Sequence, residues 1–256
     1  MMFVHSFQSE WLKKKHSAAV ALVWSGAFFI PLLMLIIRLK KFKDLASDNA
    51  SPGLWAWLYG LNWQFMAFFL LPLGVMLATS LITQLEYRNN TWKQVHTTPQ
   101  DMSTIFLSKL SILLVMLVQF FLLFNIGIWL AGVLPAVFKG VAFPRASFPW
   151  VKFLRGSGYF FIDSLPIVGL QYLVSLQFRN FLAPLCVGIA LYVASVIAIE
   201  WEYGYTIPYN YSALEYLVSI KGNRLPSANI HVWALVYFAV FIILSYFLYR
   251  TKKDKS

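Results

Sequence analysis

Residues Gly158–Ile199 read GYFFIDSLPIVGLQYLVSLQFRNFLAPLCVGIALYVASVIAI. Two apolar runs, Gly158 to Leu176 and Phe181 to Ile199, are parted only by the polar trio Gln177, Arg179 and Asn180. Each run has about the 20 residues of helix that span a hydrocarbon core about 30 Å thick. A chain that crosses once and turns so tightly must come straight back, so this stretch predicts an antiparallel helical hairpin in lipid. Outward from it, four more blocks meet the same length test: about Ser17 to Ile37, Leu61 to Ile82, Ile105 to Val133 and Ile230 to Tyr249. The third is longer than one crossing, so it either tilts or projects its first turn, with Ser108 and Lys109, into water.

Composition agrees. Of 256 residues 59% are apolar and 12% charged, against about 45–50% and about 25% in soluble domains. With 23 Phe, 13 Tyr and 10 Trp, a 29.4 kDa globule would leave large apolar patches in water. The net charge of +11 does not indicate nucleic acid, because the cations fall in short clusters between apolar blocks and form no continuous basic face. Lys13, Lys14 and Lys15 before the first block imitate a secretory signal, but the apolar stretch exceeds a signal core and is read as a retained helix. Arg38, Lys40, Lys41 and Lys43 stop that helix, and Arg250, Lys252, Lys253 and Lys255 follow the last. The single cysteine, Cys186, excludes an intrachain disulfide.

The fold expected is all-α: six transmembrane helices, an N-terminal interfacial helix and a re-entrant segment between the fifth and sixth, with residues 1–256 as one membrane domain. Phe3, Phe7 and Trp11 supply the apolar face of the interfacial helix. The aromatic-rich residues 200–229 suit the membrane boundary, and Leu214 to Ile220 is too short to cross. Residues 83–104, TQLEYRNNTWKQVHTTPQDMST, form the longest polar connection on the presumed inner face. They read either as a docking surface or as a solvated linker. Six crossings put both ends on one side, and the Lys and Arg count barely distinguishes the two faces.

Tests for chemistry are negative. Gly-Lys, the core of a nucleotide-binding P-loop, occurs nowhere, and neither a Gly-x-Ser-x-Gly elbow nor His-Glu-x-x-His is present. His5, His16 and His96 lie across the bilayer from His231 in this topology, so no histidine cluster, and no metal site, is expected. Asp163 is the one acid within a span. Facing lipid it would cost about 2.5–3.5 kcal/mol near the bilayer centre, so it must face protein or water. It is a candidate for a cargo path or gate, with Gln171, or else it pairs with Lys152 or Arg155. Cys186, Ala190, Ala194 and Ala198 form a ridge of small side chains at four-residue spacing, fit for close packing against a neighbouring helix or a second subunit.

Three stretches carry a family resemblance: FQSEWLKKKHS, LEYRNNTWKQVHTTPQDMSTIFLSKL and LPIVGLQYLVSLQFRNFLAPLCVGIAL. In the second, Glu86, Thr91, Trp92, Pro99 and Lys109 give an acid, then Thr-Trp, then Pro, then Lys at the start of a helix. The chain resembles the permease subunits of type-2 ABC transporters, particularly those of bacterial peptide-antibiotic immunity and drug export. The resemblance implies cytoplasmic termini in the inner (plasma) membrane and a second, identical or homologous permease. It also implies a separate pair of ATPase subunits that bind ATP and Mg, this chain binding no cofactor. The inner loop then couples to the ATPase through Glu86, Arg88, Trp92 and Lys93, and the cargo is amphipathic or hydrophobic, such as an antimicrobial peptide or a drug. Two rival readings are a proton-coupled carrier using Asp163 and a membrane scaffold that transports nothing.

Overall fold

The computed structural model describes residues 2–15, 17–88, 101–222 and 229–253. Among them there is no strand. Helix α1, Met2–Lys15, packs against the third long helix through Ser6, Glu10 and Lys14, which are buried, while Phe3, Val4 and Trp11 face outward. Phe7 is half-buried against the core and links the two outward rings, its centroid 6.4 Å from Phe3 and 6.1 Å from Trp11, and Phe3 and Trp11 are on the face expected to meet headgroups. Burial lowers the tendency of the Lys14 ammonium to hold its proton.

Helix α2, Ala18–Lys40, buries Ala19, Val23, Ala27, Ile30 and Met34, a three-to-four-residue stripe that lies against the third long helix. Beyond a 3₁₀ turn, Phe42–Asp44, comes α3, Leu45–Ala50. The next crossing is one apolar run of 32 residues, 54–85, built from α4, Leu54–Phe65, a π turn, Met66–Leu70, and α5, Leu71–Arg88. It begins about two turns before the expected Leu61. Tyr59 and Asn62 hide the continuity from hydropathy, but Asn62 Nδ2 donates to the Leu58 carbonyl at 2.7 Å within its own helix, which meets part of the cost of burying the amide.

Helix α6, Met102–Lys139, ends at Gly140, whose φ of 63° closes the helix in the left-handed region. Its first turns do not project into water: Ser108 and Lys109 are both buried. Helix α7, Trp150–Gln177, starts eight residues before the expected Gly158. The hairpin partner α8, Leu182–Ile197, has 16 residues, about 24 Å of rise and less than a full hydrocarbon core. Two 3₁₀ turns, Gly204–Thr206 and Pro208–Asn210, lead into α9, Tyr211–Ser219. Six successive residues of α9, Tyr211 to Tyr216, are buried, so the segment wedges into the protein. Helix α10, Ile230–Lys253, runs along α7. Gly169 permits that approach, since a Cβ there would stand 3.2 Å from Phe238 and from Phe241.

Among the described residues, five helices are thus long and apolar enough to cross a membrane, and α8 is a shorter apolar helix beside them. Trp63 centres the core, stacked on Phe160 at 3.9 Å and edge-on to Phe124 at 5.1 Å.

Candidate functional site

Three polar side chains from three separate elements meet beneath a vestibule. Asp163, midway along α7, is fully buried, and its Oδ1 lies 3.0 Å from Nδ1 of His231, the second residue of α10. Glu215, on the buried wedge α9, places Oε2 3.9 Å from His231 Nε2 and accepts a hydrogen bond from Ser219 Oγ at 2.6 Å. Burial pushes the Glu215 carboxyl above the ordinary carboxylate range, against the smaller downward pull of the Ser219 hydroxyl. Tyr159 stacks on the His231 ring with centroids 4.9 Å apart and planes within 16°. Tyr159, Glu215, Tyr59, Trp150, Lys152 and Arg155 line a cavity of about 740 Å³ that opens above the cluster.

The expected partner of Asp163 was Lys152 or Arg155. Both lie about two to three helical turns nearer the start of α7. Arg155 is engaged elsewhere, donating from Nε to the Tyr159 hydroxyl at 3.2 Å. The acid faces α9 and α10, and His231 reaches it from there.

Gln171, two turns further along α7, is also fully buried. Its Nε2 donates to the Pro184 carbonyl at 2.9 Å and to Ser80 Oγ at 3.3 Å, and its Oε1 accepts from the Tyr209 hydroxyl at 3.0 Å. One amide thereby holds α5, α7, α8 and the turn before α9 together. Gln171 lines neither the vestibule nor the apolar cavity of about 220 Å³ enclosed by Val23, Leu70, Leu73, Met116, Phe120 and Val168.

The π turn explains why α8 and α9 fold back against the second crossing. Pro72 has no N–H, and Leu71 N–H bonds back to Met66 O, so the carbonyls of Ala67 and Phe68 lose their helical donors. Ser212 Oγ from α9 donates to Ala67 O at 2.9 Å, and the Tyr192 hydroxyl from α8 donates to Phe68 O. Both open carbonyls are met from the wedge side, as a low-dielectric interior requires.

Of the expected coupling residues, Glu86 and Arg88 belong to the last turn of α5, with side chains outside the described residues, and Trp92 and Lys93 lie outside the described residues altogether. The helix ends that flank them are anchored. Gln84 Nε2 donates to the carbonyls of Ser175 at 3.2 Å and Phe178 at 2.7 Å, where α7 ends, and Ser103 Oγ lies 2.8 Å from the Tyr246 hydroxyl of α10. On α8, Cys186, Ala190 and Ala194 are exposed, and Ala198, just past the end of the helix, is half-buried. Pro184, Gly188 and Ser195 form the edge turned into the bundle.

A helical bundle with five long apolar helices, a short apolar helix and a buried wedge is a multi-pass membrane protein. Residues 6–195 match the model of the ABC-2 family transporter protein, and the chain belongs to that family: it is a membrane permease subunit of an ABC transporter. No curated protein and no solved structure matches it. The family assigns ATP hydrolysis to a partner ATPase, in keeping with the missing P-loop. The sequence marked Asp163 as the lone acid in a span, but gave no sign of Glu215, which sits in an apolar stretch too short to cross, or that His231 would be its neighbour.

Proposed function

We propose that this chain exports an amphipathic or hydrophobic cargo, an antimicrobial peptide or a drug, and so serves antibiotic resistance. It works in the plasma membrane with both termini in the cytoplasm, beside a second permease, identical or homologous. The apolar cavity between α2, α5, α6 and α7 supports the cargo class, because the side chains that line it carry no charge and only Thr79 is polar. Such a surface binds apolar groups and offers a strongly hydrated solute no replacement for its water.

The stroke enters through residues 83–104. ATP binding in the partner can bias the membrane helices only through a contact that differs between two states. The single observation that carries this reading is the anchoring of both flanks, Gln84 on the end of α7 and Ser103 against α10. A push on Glu86, Arg88, Trp92 or Lys93 is thereby delivered to the two helices that hold Asp163 and His231. Trp92→Ala combined with Arg88→Ala is expected to leave the permease inserted and bound to its lipid while cargo-stimulated ATP hydrolysis in proteoliposomes falls about fivefold or more, the lower end of ordinary coupling energies. Undiminished hydrolysis and export in that variant would refute the assignment. Flux driven by a pH gradient without ATP, and lost in Asp163→Asn, would instead indicate a proton-coupled carrier.

A further inference from the structure

We propose that Asp163, Glu215 and His231 form a binding site for a divalent transition-metal ion of the Zn²⁺ type, which clasps the wedge α9 to α7 and α10. One ligating atom from each residue lies within 4.8 Å of the others. Around a tetrahedral Zn²⁺, with bonds to imidazole nitrogen and carboxylate oxygen of about 2.0–2.2 Å, ligand atoms stand about 3.3–3.5 Å apart. Asp163 meets Nδ1 of His231 at 3.0 Å and Glu215 approaches Nε2 at 3.9 Å. One ion takes one imidazole nitrogen, so binding replaces one of these two approaches and draws the three ligating atoms, all within 4.8 Å of one another, closer by up to about 1.5 Å.

One observation independent of the cluster's own hydrogen bonds points to a ligand: Asp163 Oδ2 is buried and has no hydrogen-bond partner among the described residues. Charge gives the second line of argument. Neither acid has a Lys or Arg within ion-pairing distance among the described residues, His231 being the one cation-forming group that reaches them. A protonated imidazole balances one carboxylate, whereas a divalent ion balances both, which matters in a medium that penalises net charge. Mixed nitrogen and oxygen ligation by three residues selects the later first-row metals over Ca²⁺ and Mg²⁺, which need six or more oxygens. Glu215 also lines the vestibule, which gives an ion a route to the cluster.

The test uses the tag-free, full-length permease in lipid nanodiscs, with Co²⁺ as the probe. The expected result is one equivalent bound, with the visible d–d absorption of a four-coordinate ion, and displacement by Zn²⁺. His231→Gln and Glu215→Gln should each weaken binding at least tenfold, on the order of the loss seen even for groups that only support a ligand. The triple variant His5→Gln, His16→Gln, His96→Gln should bind as the parent does. Absence of a four-coordinate spectrum in the parent protein, or its loss in the triple variant, overturns the proposal without depending on whether the His231 variant folds.

Discussion

Arg38 sits buried near the end of α2, with 2% of its surface exposed. Its position follows from a proline on another helix. Pro135, inside α6, has no N–H to give the Ala131 carbonyl, and Arg38 Nη1 donates there at 2.8 Å and to Gly132 O at 2.7 Å. Nη2 donates to Asn49 Oδ1 at 2.5 Å, and Asn49 Nδ2 to Ala142 O at 2.7 Å. One guanidinium therefore ties α2, α3 and the end of α6 together, while the neighbouring Lys40, Lys41 and Lys43 remain exposed. Arg38→Met should lower stability by about 2–3 kcal/mol, because three buried acceptors lose a charged donor. Arg38→Lys should recover only part of it, since an ammonium lacks the planar fork. Thermal unfolding in detergent checks both, and an unchanged midpoint in Arg38→Met would show the network to be idle. Sequence alone groups Arg38 with the lysines as a helix stop, since charge is local and its carbonyl acceptors lie more than ninety residues away. The Asp163 cluster was half legible for the same reason. A lone acid in an apolar run announces itself, but its partners are chosen by how α9 and α10 come to rest.

Among the elements, the π turn at Met66–Leu70 and the wedge α9 depend on one another. The turn opens two carbonyls in a setting without water, and Ser212 and Tyr192 supply the donors. Each donor is worth about 1 kcal/mol. Ser212→Ala and Tyr192→Phe should each speed hydrogen exchange at the amides of Tyr211–Ser219 about fivefold, the rate equivalent of that energy if the wedge opens locally. Tyr246→Phe, whose hydroxyl sits by Ser103 on α6, should leave those amides alone. Equal protection in all three variants would mean that apolar packing alone seats the wedge. The crossings were legible because a hydrocarbon slab imposes one length on every helix, and the wedge because Leu214 to Ile220 fails that length. The early start at Leu54 was not, since Tyr59 and Asn62 lower hydropathy without being solvated. Nor was the shortness of α8, which stops at Ile197 within an apolar run as the chain turns into the Gly204–Thr206 segment.

At the scale of the whole molecule, the surface is unevenly used. The buried edge of α8 is Pro184, Gly188 and Ser195, and the opposite ridge, Cys186, Ala190 and Ala194, is left exposed by the described residues. Leu182, Ile189, Val193 and Ile197 flank it and are exposed too. Among lipid tails, exposed leucine and isoleucine gain nothing by pairing, because their surroundings are already apolar. A ridge of small side chains differs, since two backbones can then approach closely and gain dispersion contacts that lipid cannot match. A helix too short to fill the bilayer gains further from a neighbour, as mismatch favours association. If the second permease is another copy of this chain, a two-fold axis brings the same ridge from both copies together. Cys186 is exposed and is the chain's single thiol, so a short bismaleimide applied to membranes containing the permease and its ATPase should give a covalent dimer. Ala190→Trp, which fills the ridge, should reduce that product about tenfold, whereas Val118→Trp on the exposed side of α6 should not. A monomer-only pattern in the parent chain would exclude a symmetric dimer through α8, and an equal yield in Ala190→Trp would place the contact elsewhere.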